Sequence, residues 1–198
     1  DTAVVSINNV SQNEGSAGAA PMNFTVSLSV PAASSRFFGA FTADGTAQQP
    51  ADYIALPLGP TTVVFAPGEI SKIVPVQING DTLVEVDESF TLNLADAASI
   101  ERGTPQPVAS GTGTIVNDDV PSVSIGDASV TEGSGAGSTN AVFTVTLTEQ
   151  PLVGSPVTVS YATTGISAIS GTDFSATSGS LTFSNGGALT QTISVPVT

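Results

Sequence analysis

Hydrophobic and polar residues alternate with a period of two along most of this chain. Successive side chains of a β-strand point to opposite faces, so this period predicts half-buried strands. Val, Ile, Thr and Phe dominate the alternating runs, while Gly, Pro, Asn and Asp cluster between them. No window has a helical period. Three inward-facing rows are expected: Phe24, Val26, Leu28 and Val30; Ile70, Val74, Val76 and Ile78; and Phe90, Leu92 and Leu94.

The turn residues divide the chain into short segments of regular length. In the first part, strands are expected at 3–10, 22–30, 36–43, 61–66, 70–78, 88–95 and 108–116. In the second part, they are expected at 122–130, 140–148, 156–163, 179–184 and 189–197. Seven short strands separated by turns are typical of an immunoglobulin-like Greek-key sandwich.

The second part of the chain repeats the first. The segment AVVSINNVSQNEG at 3–15 returns as SVSIGDASVTEG at 122–133, and MNFTVSLSV at 22–30 returns as AVFTVTLTE at 141–149. The offset drifts only between 118 and 121 residues, which is about the size of one sandwich domain. The predicted fold class is therefore all-β, with tandem immunoglobulin-like Greek-key β-sandwiches at 1–119 and 120–198.

The second sandwich is expected to lack its last two strands. Counterparts of 88–95 and 108–116 are missing from residues 120–198. Five strands alone leave an unpaired edge and half a core. Two explanations stay open: the natural chain continues as a longer repeat array, which is favoured, or another chain supplies the missing strands.

Composition narrows the possible partners. The net charge is −14, with 17 acidic residues and only three basic ones. Such a chain repels nucleic acid and anionic lipid and leaves divalent cations as its counter-charge. Because it contains no Cys or His, zinc fingers, iron–sulfur clusters, thiol nucleophiles and His-based triads are excluded. No apolar run is long enough to span a membrane, so direct membrane insertion is not expected, and no signal peptide opens the chain.

Acidic residues concentrate at a few places in the first unit. In a seven-stranded Greek key the loops that carry them can converge at one end of the sandwich. Grouped carboxylates repel each other unless a cation neutralises them, and hard oxygen ligands in flexible loops suit calcium. The residues concerned are Glu14, Asp44, the octet Asp81–Glu88 with Asp81, Glu85, Asp87 and Glu88, and the pair Asp118 and Asp119.

The same segments resemble a known family. SINNVSQNEG, the TADGTA loop followed by ADY, VVFAPGEISKIVPVQI, DTLVEVDESFTLNL and TGTIVNDD together resemble the Calx-beta motif, over nearly all of 3–119 and part of 122–198. This resemblance implies a calcium cluster at one end of the first sandwich. The ligands it implies are Glu14, Asp44, Asp81, Glu85, Glu88, Asp118 and Asp119.

The chain departs from the calcium-sensing members of that family. A longer Asp run is replaced by Asn79-Gly80-Asp81, and a triple Asp by Asn117-Asp118-Asp119, so fewer and weaker ions are expected. In the second unit Glu132 remains, but Thr164 stands where Asp44 does, so no site is expected there. The alternative for the first unit is a set of solvated loop charges.

An ion at Asp118 and Asp119 would lie beside Val120-Pro121, the join between the units. We therefore expect calcium to raise the melting temperature and to lengthen the particle in solution.

Three other features are assigned structural roles. Asp52-Tyr53 and Asp173-Phe174 are read as turns whose rings pack on the core, and the glycine-rich stretch at 132–135 as a hairpin loop. Phe37 and Phe41 share one face of a strand with Phe38 on the other, which hints weakly at a contact surface.

No enzyme is expected, because paired carboxylates of glycoside hydrolases need sugar-stacking aromatics and this chain has two Tyr and no Trp. Three functions stay open. The favoured one is a structural or adhesive calcium-binding module of an extracellular bacterial surface protein. The second is a subunit of a surface filament or layer, completed by a neighbour's strand, and the third is a calcium-sensing segment of a membrane protein. The expected partners are neighbouring repeats or identical subunits, and any adhesive ligand stays open.

Overall fold

The computed structural model describes residues 3–57, 59, 61–132 and 137–198. The chain divides into two compact units, Asp1–Asp119 and Val120–Thr198. Both are built from strands, which confirms the all-β class expected from the sequence. The glycine-rich stretch 133–135, expected to be a hairpin loop, lies outside the described residues.

The first unit is a sandwich of two sheets. One sheet has the order β1-β3-β6 and the other β2-β8-β7-β4-β5. Within the described residues its elements are β1 (Val5–Ile7), β2 (Val10–Asn13), β3 (Gly18–Leu28), β4 (Arg36–Asp44), β5 (Thr62–Phe65), β6 (Ser71–Gly80), β7 (Glu88–Asp96), α1 (Ala97–Glu101) and β8 (Pro107–Val116).

The core of this unit lies between the two sheets. The inward rows expected on β3, β6 and β7 are buried in one cluster that also contains Phe38, Ala40 and Ile115. The prediction that Val30 and Ile70 face inward was wrong, since Val30 is 41% exposed and Ile70 is 52% exposed. Both lie just outside their strands, where the chain turns and the period of two no longer fixes which way a side chain faces.

Where one strand was expected at 3–10, the structure has β1 at Val5–Ile7 and a second strand, β2 at Val10–Asn13, in the other sheet. Ile7 and Val10 are three residues apart, which breaks the period of two between them. Asn8 Oδ1 accepts a hydrogen bond from the backbone N–H of Thr25 at 2.6 Å, on one sheet. Asn9 Oδ1 accepts one from Thr112 at 2.9 Å, on the other. The two asparagines therefore hold the point where the chain crosses between sheets, and the described part of the unit contains eight strands rather than the seven expected.

A short helix, α1, follows β7. Asp96 caps it by accepting a hydrogen bond from the backbone N–H of Ser99 at 2.6 Å. Five residues are too few to show a helical period, so the sequence pattern gave no sign of this helix. A Cβ on Gly39 would lie 2.3 Å from Ile100 Cδ1, so the glycine on β4 gives room for this side chain. Within the described ranges, no helix has the length and apolar character needed to cross a membrane.

The second unit repeats five of these strands. Its sheets have the orders β13-β10-β9 and β11-β12, and its own apolar cluster lies between them. The described strands are β9 (Val123–Ile125), β10 (Thr139–Leu147), β11 (Val157–Ala162), β12 (Ser178–Phe183) and β13 (Thr190–Val197). They correspond to β1, β3, β4, β5 and β6 of the first unit.

Hydrogen bonds correct one sequence correspondence between the units. Thr42 Oγ1 accepts from the backbone N–H of Leu56, and Thr163 Oγ1 accepts in the same way from Thr177. The offset in this region is therefore 121 residues, as it is for Asp52 and Asp173. Gly165, rather than Thr164, stands at the position of Asp44. The sequence alignment was shifted by one residue here because the TADG and ATTG segments share too few identical residues to fix it.

Candidate metal centre

Four chain segments of the first unit meet at one end of its sandwich: the residues after β2, the loop after β4, the loop between β6 and β7, and the residues after β8. Two contacts show how closely they approach. Asn79 donates its side-chain amide to the carbonyl oxygens of Pro50 and Ala51, both at 2.8 Å. A Cβ on Gly80 would lie 2.0 Å from the carbonyl oxygen of Gly15, so only glycine allows these two backbones to approach.

Three carboxylates form the first acidic group. Glu14, Asp118 and Asp119 each have a ligand atom within 4.8 Å of the others. Asp118 is held in place by two donors from the end of β2, the side-chain amide of Asn13 at 3.2 Å and the backbone N–H of Gly15 at 3.1 Å. The parallel pairing of β2 with β8 places these two strand ends side by side.

A second group of three lies on the neighbouring loops. Asp52, Glu85 and Glu88 likewise have carboxylate oxygens within 4.8 Å of one another. Glu88 is the first residue of β7, and Asp52 lies in the loop after β4. The strands β4 and β7 pair so that Asp44 is opposite Phe90. This register brings the start of β7 to the loop that carries Asp52.

The two groups interact electrostatically. Burial, and after it the negative charges of Asp81, Glu85, Asp119 and Asp118, together raise the pKa of Glu14 to about 7. Burial also raises the pKa of Glu88 to about 7, together with a hydrogen bond to Asp52 and the neighbouring acidic charges. Glu14 acts on Glu88 as well, so the acids behave as one cluster.

Two carboxylate oxygens in the first group have no hydrogen-bond partner. Glu14 is only 8% exposed. Among the described residues, Glu14 Oε1 and Asp119 Oδ2 are the buried side-chain oxygens without a partner. Buried polar atoms are nearly always hydrogen-bonded, and an ionised carboxylate that lacks a partner costs free energy. Both atoms are thus free to bind an ion.

The basic residues of this unit do not neutralise the cluster. Arg36 is the first residue of β4, whose last residue is Asp44. Lys72 lies at the start of β6, whose last residue is Gly80, and Arg102 follows α1, beyond the end of β7 distant from Glu88. All three basic side chains therefore begin from the opposite end of the sandwich. Lys72 forms a salt bridge with Glu69 there, at 2.7 Å.

The structure places the seven expected ligands in three ways. Glu14, Asp118 and Asp119 belong to the first group, and Glu85 and Glu88 to the second. Asp81 is exposed beside both, since its charge raises the pKa of Glu14 and of Glu85. Asp44 is outside both groups, because its Oδ1 accepts hydrogen bonds from the Tyr53 hydroxyl and from the backbone N–H of Gln49.

Two residues of the site were missed from the sequence. Asp52 was read as a turn residue, and its Oδ2 does accept a hydrogen bond from the backbone N–H of Gln48 at 2.6 Å. Its return as Asp173 was the signal that could have identified it. Asn117, read only as a lost charge, accepts from the backbone N–H of Glu85 at 3.2 Å and donates to the carbonyl oxygen of Asp119. It fastens the loop after β6 to the end of β8.

The second unit has no comparable group among its described residues. Glu132, the counterpart of Glu14, is exposed rather than buried. Asp173 accepts a hydrogen bond from the backbone N–H of Ile169 at 2.7 Å, as Asp52 does from Gln48. The remaining acids of the first unit's cluster lie on β7, on its preceding loop and after β8, for which this unit has no counterparts.

The chain is similar to a known protein family and to two solved structures. The family model of the Calx-beta domain matches residues 3–120 and 116–198. A solved structure described as calcium binding domain CBD12 of CALX1.1 is 20% identical, covering 98% of this chain and 75% of that one, with a TM-score of 0.49. CBD12 from CALX1.2 is 19% identical, covering 96% and 72%, with a TM-score of 0.47. A search of curated proteins gave no match.

Proposed function

The chain belongs to the Calx-beta domain family, and on that basis we propose that its first unit is a calcium-binding structural module. The observation that carries this proposal is the buried Glu14, whose Oε1 has no hydrogen-bond partner within an all-acidic cluster. The donors available are carboxylate and carbonyl oxygens, which suit a hard cation. No nitrogen or sulfur donor from His or Cys exists anywhere in the chain.

Calcium would stabilise the first unit by joining its loops. Glu14 follows β2, and Asp118 and Asp119 follow β8. Glu85 lies in the loop before β7, and Glu88 is the first residue of β7. An ion shared among these groups replaces mutual repulsion with attraction and binds the folded state only. The module is thus expected to be stiff and stable with calcium and to loosen at this end without it.

Calcium is expected to raise the melting temperature of the first unit. Tyr53 lies in the first unit and Tyr161 in the second, and there is no Trp, so a Tyr161→Phe chain reports unfolding of the first unit through Tyr53 fluorescence. At 100 times the dissociation constant, calcium contributes about 2.7 kcal/mol. An unchanged melting temperature between chelator and millimolar calcium would contradict the proposal. Magnesium at equal concentration is the control for simple charge screening.

Asp52 is expected to matter more for calcium than Asp44. Asp52→Asn removes a charge from the second group but keeps the oxygen that accepts from Gln48, so calcium affinity should fall about tenfold. Asp44→Asn is the matched control, since Asp44 bonds Tyr53 outside both groups and its loss should change affinity less than threefold, as a rough limit. Isothermal titration calorimetry measures both. A larger loss of calcium affinity in Asp44→Asn than in Asp52→Asn would contradict this assignment, because the ion would then lie beside Asp44.

We further propose that the chain acts as a non-enzymatic spacer of an extracellular surface protein, with neighbouring repeats or identical subunits as its partners. The support is the acidic, Cys-free composition and the tandem arrangement. A calcium-sensing segment of a membrane protein is the alternative. Affinity distinguishes the two, because extracellular modules bind at about 10⁻⁴–10⁻³ M and sensors at about 10⁻⁷–10⁻⁵ M. A submicromolar dissociation constant would favour the sensor.

A further inference from the structure

The strand β5 is a free edge of the larger sheet in the first unit. In the order β2-β8-β7-β4-β5, and within the described residues, it pairs with β4 on one side only. On its other side lies a groove of about 330 Å³, which is lined by residues of β5 and β6. A free edge presents backbone donors and acceptors that can pair with another strand, so proteins usually protect such edges.

Strand register shows which backbone groups of β5 are free. The backbone N–H of Ala40 donates to the carbonyl oxygen of Thr61 at 2.8 Å, so Thr61 faces β4. The pairing of β4 with β5 continues from there without a shift. Because hydrogen-bonded residues alternate along an antiparallel pair, the N–H and C=O groups of Thr62 and Val64 point away from β4. These groups therefore face the groove.

The two strands that border the groove differ in how they are protected. β6 carries Lys72, which is charged, and Pro75, which has no N–H group, and both features discourage pairing with another strand. β5 has neither a charge nor a proline, and residues 53–68 contain no charged residue in a chain with 17 acids. The next acid, Glu69, is paired with Lys72. Two copies of β5 can therefore meet without placing acids opposite each other.

The outward face of the sheet beside this edge is apolar. Phe37 on β4 lies directly opposite Val64 on β5, and their side chains are 53% and 38% exposed. They form a non-hydrogen-bonded pair, in which facing side chains are closest. Together they form a small apolar patch that reaches the free edge of β5.

The second unit has the same edge in a polar form. Its strands β11 and β12 pair as β4 and β5 do, and Thr158 lies opposite Thr182 where Phe37 lies opposite Val64. The two threonine hydroxyl oxygens are 3.4 Å apart, and both residues are exposed. The same strand pair therefore forms with polar residues at these positions. The apolar pair of the first unit is not needed for pairing of the two strands.

From the free backbone groups, the uncharged edge and the apolar patch, we propose that β5 of one copy pairs antiparallel with β5 of a second copy. A two-fold axis would place Val63 opposite Val63, and Thr62 of each copy opposite Val64 of the other. This pairing satisfies the free donors and acceptors of both edges and joins the two five-stranded sheets into one. Because the contact is isologous, it closes at two copies.

The inference rests on the proposal that identical subunits are partners of this chain, and it names the surface through which they meet. None of the residues in this contact belongs to either acidic group. The pairing is therefore independent of calcium and is tested in the presence of chelator.

Self-association of the whole 198-residue chain is the direct test. In sedimentation equilibrium we expect monomers and dimers with a dissociation constant of about 10–200 µM, which is weak because the contact is small. Raising the NaCl concentration from about 0.05 to about 0.5 M should strengthen dimerisation at least about threefold, since salt screens the repulsion between chains of net charge −14. The backbone amides of Thr62 and Val64 should become protected from hydrogen exchange in the dimer.

Two variants of the chain test the edge and the patch. Val64→Lys places a charge on the free edge and should weaken dimerisation at least about thirtyfold. Thr182→Lys is its matched control, because it makes the same change at the corresponding position of the second unit and should leave the dissociation constant unchanged. Replacing both Phe37 and Val64 with Thr gives the first unit the outward pair of the second, and should weaken dimerisation at least about tenfold. Melting curves show that each variant is folded.

Three results would overturn the proposal. The first is a chain that stays monomeric at about 1 mM. The second is dimerisation that Thr182→Lys weakens and Val64→Lys does not; identical subunits would then still be partners, but through the second unit. The third is dimerisation that salt weakens, which would indicate a contact between unlike charges. The calcium dependence of the melting temperature tests the calcium-binding module separately, so either proposal can fail without the other.

Discussion

Replacing Glu14 with Gln is expected to make the calcium-free protein more stable and to remove most of its response to calcium. Glu14 is 8% exposed, has an oxygen without a partner and is surrounded by acids. Its neutral isostere removes the buried charge while keeping the shape. The melting temperature in chelator at pH 8 should rise by about 5 °C or more, as about 1 kcal/mol is worth 4–8 °C in a domain of this size.

The same substitution should weaken calcium binding at least about tenfold, since the cation loses a charged ligand. Glu101→Gln is the matched control. It makes the same chemical change at the far end of β7, on α1, where no member of either acidic group lies. Glu101→Gln should leave both the chelator melting temperature and the calcium response unchanged. If Glu14→Gln lowered the melting temperature in chelator, the carboxylate would have an internal partner.

Stability without calcium is expected to fall as the pH rises from about 4.5 to about 7. Burial and the neighbouring acids raise the pKa of Glu14 and of Glu88 in the folded state to about 7, from an ordinary value of 4.5. Between these pH values the folded state holds protons that the unfolded state has lost, so raising the pH favours unfolding. For Glu14 alone the difference corresponds to about 3 kcal/mol, fully lost above about pH 7. Urea unfolding of the Tyr161→Phe chain across this range measures it.

Calcium reverses this dependence and must displace the same protons. Because the pKa of Glu14 and of Glu88 is raised to about 7, calcium binding near pH 6 should release up to two protons, and calcium affinity should rise with pH. Calorimetry in two buffers of different ionisation enthalpy counts the protons. Glu14→Gln should reduce the count by about one, and Glu101→Gln should not change it. A stability curve that is flat between these pH values would contradict the assignment of raised pKa values.

Much of the fold followed from local pattern. Apart from Val30 and Ile70, the inward rows on β3, β6 and β7 were identified because a strand with one buried face must alternate, and the duplication set the limits of the repeat. The sequence predictions were wrong where long-range hydrogen bonds or a helix cap, rather than the period of two, determine the path of the chain. Asn8 and Asn9 move the chain from one sheet to the other, and α1 depends on a cap at Asp96.

For the candidate site, acidic residue types and the family resemblance named seven residues but not their arrangement. Asp44 is the last residue of β4 and Asp52 lies in the loop that follows, and the sequence and the family resemblance favoured Asp44. The structure gives Asp44 to the Tyr53 hydroxyl and places Asp52 with Glu85 and Glu88. Which of the two carboxylates joins the acidic cluster depends on the side-chain rotamers and the turn geometry of residues 44–52. The alternation of hydrophobic and polar residues carries no information about either.

The sequence by itself determined that this is a duplicated all-β chain whose acids concentrate in a few segments of the first unit and which has no Cys or His to act as a metal ligand. Alternation, repetition and composition are local properties, so the sequence alone records them. Only the tertiary structure decided that Glu14 is buried near four other acids whose charges act on it, that the basic residues of the first unit begin from the opposite end, and that β2 pairs with β8. These are long-range pairings, in which residues about 100 positions apart are brought together by strand register.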